Sequence, residues 1–368
     1  MPSVTSNLNP ILLSGVQENA SDWHIREGSP VALRIHGELY EMDASFVPDK
    51  AFLTHCILQI ASEKILAKYE ETGDADFAFE ETGVGRFRAN LHRQRGLMCL
   101  CFRHVKSTVP PIQALGLPEI ILNIAAYERG LILVTGATGS GKSTTMACML
   151  EFMNQTMNRH IITIEDPIEY NFVDKNCVIE QREVGIDVIS FASALKHALR
   201  QDPDVIVVGE IRDRTSLESA VQAADTGHLV MGTLHTSNAG QSINRLLDMY
   251  PHEERDAVRK SLAENVKAIV CQRLVARASG KGVAPCNEVL VQTATIRKLI
   301  LDDKIDKLSN AIAAGKEAGM FTFDQRLLQM VNDGTITEQA ALETANNKEQ
   351  LGMNLRGIFL NTDGGILG

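Results

Sequence analysis

Residues 131–144 constrain this chain more than any other stretch. An apolar run of strand length, LILVT at 131–135, leads directly into GATGSGKST at 136–144. The second string has the spacing GxxxxGK[ST], and a helical pattern comes next. Strand, glycine-rich turn and helix together are the context in which that spacing builds a phosphate cradle. Gly136, Gly139 and Gly141 let the backbone N–H groups of the loop, with Ala137, Thr138 and Ser140 between them, turn inward around an anion. The helix start adds its dipole. Lys142 can then reach β- and γ-phosphates, and the Ser143 hydroxyl, next to Thr144, can ligate Mg²⁺. The bland alternative, a glycine-rich turn that binds nothing, has the three-part context against it.

Further apolar runs at 161–164, 205–208 and 229–234 alternate with helical patterns such as Phe191, Leu195 and Leu199. Such runs fit strands buried on both faces, in a sheet sandwiched by helices. Several polar clusters sit where these strands end. VIVVG at 205–209 leads to Glu210, which can hold Mg²⁺ through water or polarise an attacking water. Alone, Glu210 reads better as an edge glutamate paired with Arg212. The phosphate loop upstream tips the balance to chemistry. IEDPIE at 164–169 places Glu165, Asp166 and Glu169 around Pro167, which ends its strand. TGH at 226–228 opens a strand that TLHT at 233–236, with His235, closes. Each cluster by itself reads as a cap, a turn or a surface charge. Together, these carboxylates and the histidines His228 and His235 exceed what solvation needs.

The first hundred residues read as a separate α+β domain. A short amphipathic helix is expected at 7–16, a hairpin around Gly37, one helix over 52–69, and strands at 76–79, 85–92 and 97–105. Arg86, Arg88, Arg93, Arg95 and Arg103 fall on or beside the last two strands with no acid among 86–95. Residues 86 and 88 share a sheet face. A solvated face and a phosphate-directed one are both open readings, with Glu80 and Glu81 as structural partners; Arg88 and Arg103 are the favoured phosphate contacts. The prolines at 110, 111 and 118 mark residues 107–118 as a linker. The expected organisation is thus 1–106, the linker, an ATP-binding core over 119–290, and a helical region over 291–368. From 254 on the pattern is mostly helical, with Val258, Leu262, Val266, Ile269 and Val270 on one face and a last strand at 288–291. The tail from Asn361 is expected to be disordered.

Charge and cysteines exclude other classes. The formal net charge of −10 is wrong for a molecule built to coat nucleic acid. Seven cysteines, an odd number with no CxxC pair, read as reduced thiols with no zinc site. No signal peptide and no membrane-spanning run is visible, so a cytoplasmic location is expected, with any membrane association made through a partner.

The four clusters GATGSGKST, TIEDPIEY, VIVVGEIRD and TGHLVMGTLHT, in this order, resemble the Walker A motif, Asp box, Walker B motif and His box of the secretion ATPase superfamily. That superfamily drives type II and type IV secretion and type IV pili. SDWH at 21–24, GRFR at 85–88, QREV at 181–184, LRQDP at 199–203 and GMFTFD at 319–324 are similar to its pilus retraction branch, PilT and PilU. The resemblance runs from about residue 7 to 345. It implies a homohexameric ATPase with an N-terminal PAS-like domain and a RecA-like P-loop domain. The ring would work with Mg²⁺ against an inner-membrane pilus platform protein, at the cytoplasmic face of that membrane, with a paralogous retraction ATPase as a possible partner. By position, it implies Lys142 and Ser143 as phosphate and Mg²⁺ ligands, Glu210 as the Walker B glutamate, Glu165, Asp166 and Glu169 as Asp-box acids, and His228 and His235 as His-box residues. Apart from the resemblance, the charge of a triphosphate calls for an arginine, and this half of the chain offers Arg200 and Arg212. Assembly and secretion members are usually longer and carry four zinc-binding cysteines, features this sequence lacks. TIRKLILD at 295–302 keeps only part of the AIRNLIRE string common in the retraction branch. An assembly or secretion motor, a weakly hydrolysing accessory subunit and a nucleic-acid translocase are the competing readings.

Overall fold

The computed structural model describes residues 3–43 and 45–358. The chain forms two compact units. One comprises the chain up to Thr108 together with Glu169–Asn171; the other comprises Val109–Ile168 and the chain from Phe172 on.

The first unit holds strands β1 (Ser3–Val4), β2 (Ala20–Arg26), β3 (Ala32–Ile35), β4 (Glu38–Glu41), β5 (Asp74–Glu81), β6 (Gly85–Gln94) and β7 (Leu97–His104). They form one sheet in the order β1-β5-β6-β7-β2-β3-β4, antiparallel except for the β1/β5 pair. Alternation decides which face is buried. On β6, Phe87, Ala89 and Leu91 turn inward while Arg86 and Arg88 share the other face. The core is aromatic: Trp23 meets Phe87 edge-on at 5.4 Å between ring centroids and donates its indole N–H to the Ile11 carbonyl at 3.1 Å. Helices Asn9–Gln17, Lys50–Ile60 and Glu63–Thr72 accompany the sheet. The single helix expected over 52–69 is two, because Ala61 and Ser62 are extended and Ser62 starts the second.

The second unit is built on β8 (Gly130–Thr135), β9 (His160–Glu165), β10 (Val178–Glu183), β11 (Val205–Val208), β12 (Leu229–Leu234), β13 (Val266–Ala276) and β14 (Val283–Val291). Their order is β10-β9-β11-β12-β8-β13-β14, all parallel except β13/β14. Strands β8, β11 and β12 are buried along their whole length, as expected of a parallel sheet covered on both faces. The α/β class and the order of an α+β unit before a parallel unit agree with the sequence reading. Val266, Ile269 and Val270 do not lie on a helix, however. The helix Arg255–Asn265 stops, and these three open β13. A strand buried on both faces shows no alternation, so its apolar run imitates a helix face.

Residues 109–118 pack with the second unit. They contain the one-turn helix Ile112–Leu115, with Ile112 and Leu117 buried in its core. The expected disordered tail from Asn361 lies outside the described residues. All seven cysteines are free and only Cys101 escapes full burial. Among the described residues no helix is long and apolar enough to cross a membrane.

Candidate nucleotide site

The parallel sheet dictates the site. The C-terminal ends of β8, β9, β11 and β12 all point to one edge, so the residues that follow them converge there. After Thr135 the chain turns sharply at Gly136, whose φ is +150°. A Cβ there would stand 2.4 Å from the Gln272 carbonyl oxygen and 2.5 Å from Ser140 Oγ, so only glycine fits. The Ser140 N–H donates to the Ala137 carbonyl at 3.2 Å and closes the loop, and the helix Lys142–Thr156 begins. Ala137, Thr138, Gly139 and Ser143 are exposed on its rim. Lys142 Nζ lies back on the loop, donating to the carbonyls of Gly136 at 2.8 Å and Ala137 at 3.0 Å. Burial lowers its pKa, and the nearby Glu210 carboxylate opposes that shift. The Ser140 hydroxyl is buried with no hydrogen-bond partner among the described residues. An open rim of backbone, a sheathed ammonium and an unsatisfied hydroxyl fit a phosphate group.

Glu210 stands beyond the end of β11 with both oxygens engaged. Arg212 Nε donates to Oε2 at 2.7 Å, and His235 Nε2 lies 3.3 Å from Oε1. Arg212 also faces Asp166 Oδ2 at 3.6 Å, and its two carboxylate neighbours raise its pKa. Thus Glu210, Arg212, Asp166 and His235 form one connected cluster, and the pairing with Arg212 offered as the bland alternative is present within it. Glu165 ends β9, where the Thr163 hydroxyl donates to its Oε1 at 2.7 Å and Gln181 Nε2 donates to the same oxygen at 3.1 Å.

His228 and Glu169 have neighbours of their own. His228 precedes β12 and His235 follows it, so the strand separates them by roughly 20 Å at about 3.3 Å per residue. Its Nδ1 lies 3.0 Å from the Ala223 carbonyl, at the far edge of the sheet. Glu169 belongs to the first unit, because Pro167 ends the β9 direction and Asn171 then donates its N–H to the Lys106 carbonyl at 2.8 Å. Its carboxylate faces Arg88 Nη1 at 3.6 Å. Arg103 pairs with Asp22 at 2.7 Å. The partners of these two arginines are therefore Glu169 and Asp22, whereas Glu81 accepts from Ser6 and Asn9. Sequence reasoning overlooked Gln181 as a side chain; only its place in the QREV string pointed to it. It missed Thr145, Gln272 and Asn287 altogether.

The family model for type II/IV secretion system proteins matches residues 2–349. The chain belongs to that family. Within the type II/IV secretion family it is 40% identical over 344 residues to the type IV pilus retraction ATPase PilT of Pseudomonas aeruginosa, covering 93% of this chain and 99% of that protein. It is 37% identical over 342 residues to the type IV pilus ATPase PilU of the same organism, covering 93% and 89%. Its structure is similar to a crystal structure of the pilus retraction motor PilT with bound ADP, with a TM-score of 0.86, 41% identity, and coverage of 94% of this chain and 98% of that one. The Legionella pneumophila ATPase DotB, another similar structure, gives a TM-score of 0.72 at 26% identity, covering 93% and 96%.

Proposed function

We infer that this chain is a motor ATPase that couples ATP hydrolysis to type IV pilus retraction. One observation carries the reading: a complete phosphate loop meets Glu210, Asp166 and His235 at a single sheet edge, in a chain similar to PilT along nearly its whole length. The N–H groups of the loop and the Lys142 ammonium, released from its two carbonyls, bind the phosphates. Ser143 and Glu210 offer hard oxygen donors of the kind Mg²⁺ prefers. Bound there, the ion would neutralise part of the phosphate charge.

Glu210 orients and polarises the attacking water, while Arg212 and His235 fix the direction of its carboxylate. Glu165, held by Thr163 and Gln181, is the second acid of the site. A triphosphate carries more charge than Lys142 and one Mg²⁺ neutralise, and P-loop motors commonly add arginines for that purpose. Arg212, Arg88 and Arg103 are the candidates, the last two by exchanging Glu169 and Asp22 for phosphate. The working form is a homohexamer that acts on an inner-membrane platform protein from the cytoplasmic side, alongside a paralogous retraction ATPase.

Deleting the gene and scoring the surface tests this. Cells that stay piliated but no longer twitch are the expected result, whereas bald cells would make the chain an assembly motor. Purified protein should hydrolyse ATP only with Mg²⁺ present.

A further inference from the structure

Beneath the phosphate loop lies a small polar patch in an otherwise apolar core. Gln272 is the seventh residue of β13 and is buried, as are Thr145 on the loop's helix and Asn287 on β14. Its amide is used from both ends. Nε2 donates to the Ser140 carbonyl at 2.7 Å; Oε1 accepts from the Thr145 hydroxyl at 2.7 Å and from Asn287 Nδ2 at 2.9 Å. Ser140 and Thr145 bracket Lys142 and Ser143, so one side chain clasps the loop on both sides of its two ligand-bearing residues. The loop's glycines answer the same residue. Besides the Gly136 clash with its carbonyl, a Cβ on Gly141, at φ +85°, would stand 2.8 Å from Gln272 Nε2.

The patch carries a cost to stability. Asn287 Oδ1 is buried with no hydrogen-bond partner among the described residues, and such an orphan acceptor costs free energy that an apolar group would not. Leucine or methionine in these places would pack a strand buried on both faces without that cost. Nor is another polar residue equivalent. A glutamate cannot donate to the Ser140 carbonyl while ionised, and an asparagine is one methylene too short to span from β13 to the loop.

We propose that Gln272, supported by Thr145 and Asn287, is the positioning residue of the phosphate loop, holding the Ser140–Thr145 segment in the shape that binds nucleotide phosphate. The inference rests on the ATPase reading above, and it assigns no contact between Gln272 and the nucleotide itself.

The test separates positioning from packing. The full-length triple variant Thr145→Val, Gln272→Met, Asn287→Leu removes the whole patch and leaves no half-paired group among its side chains. It should unfold at the wild-type temperature or above, yet bind ADP about tenfold or more weakly by titration calorimetry, with KM for ATP raised by a similar factor. Gln272→Glu supplies a second readout. Its carboxyl, once protonated, regains a donor for the Ser140 carbonyl, so ADP affinity relative to wild type at the same pH should recover as pH is lowered from 8 to 6. Wild-type ADP affinity in a folded triple variant overturns the proposal, as does wild-type affinity in Gln272→Glu across that pH range. A wild-type chain that binds no ADP overturns the ATPase reading and this one with it, which a variant-only null result does not do.

Discussion

Lys142 is the residue on which most of the chemistry turns. Its ammonium already faces two carbonyl oxygens, so binding phosphate exchanges weak acceptors for strong ones. Lys142→Ala should abolish turnover and greatly weaken ADP binding, and near-normal turnover would sink the loop's assignment. Burial has lowered the lysine's pKa below its ordinary 10.5. Phosphate favours the protonated form, so ADP affinity should fall as pH rises through that lowered value, ahead of 10.5. A calorimetric pH series that stays flat up to 10.5 would contradict this. Glu210→Gln should leave ADP affinity near wild type and cut kcat by roughly 10²-fold or more, since a water-polarising carboxylate acts chiefly in the transition state. Equal losses in both would deny Glu210 the water-polarising role and leave it only a structural or metal-holding one. At this scale the placement of a side chain was legible wherever it follows a strand in a contiguous string, as with Lys142, Glu210 and His235. His228 and His235 flank one strand in the sequence reading, and the structure keeps them at its two ends. Gln272 was invisible because a lone amide in an apolar run carries no signature until its three partners, up to 132 positions away, are folded around it.

Elements were legible where periodicity was clean and hidden where burial erased it. Strand β6 alternates along most of its length and was anticipated, as were β5 and β7; β13, covered on both faces, was taken for the continuation of a helix. The break at Ser62 was written in the chain as a serine followed by an acidic first helical turn, a start signal that the apolar spacing overrode. The end of β7 carries a pH response of its own. His104 packs against Phe87 with 5.1 Å between ring centroids, and burial lowers its pKa below 6.5. The unfolded chain takes up a proton near pH 6.5 that the folded unit resists. Its contribution is therefore full above pH 6.5 and is lost as pH falls from there toward the folded value. His24 on β2 is shifted the same way by burial. The urea midpoint followed by fluorescence of Trp23, the sole tryptophan, should be lower at pH 5.5 than at 7.5. That difference should shrink in His104→Gln; an unchanged difference would acquit His104.

For the whole molecule, two measurements matter most. The purified protein should have the mass of six copies, and a monomer that hydrolyses ATP at full rate would remove the ring from the reading. Arg88→Ala should lower turnover, by as much as the ~10³–10⁵-fold that such arginines contribute in other P-loop enzymes. Its pair with Glu169 is half exposed and 3.6 Å apart, which limits its stabilising contribution to about 0–1 kcal/mol. A loss of activity would therefore not reflect unfolding. Arg103→Ala is the companion variant, with Asp22 still held by the Ser21 hydroxyl at 2.7 Å. Wild-type turnover and assembly in both would clear these arginines of any role in hydrolysis.

The place of β8 in its sheet has a mechanical meaning. The strand that delivers the phosphate loop is laced on one side to β12, from Gly130/Leu229 to Thr135/Leu234, and on the other to β13, from Leu131/Val266 to Thr135/Cys271. Parallel neighbours on both flanks mean that a tug along β8 is resisted by all of those backbone bonds at once, in shear. At the β10 border, with a neighbour on one flank only, the bonds can be peeled one after another. A load passed through the phosphate loop thus enters the sheet along its stiffest line, and yielding would begin at the rim, four strands away from β8.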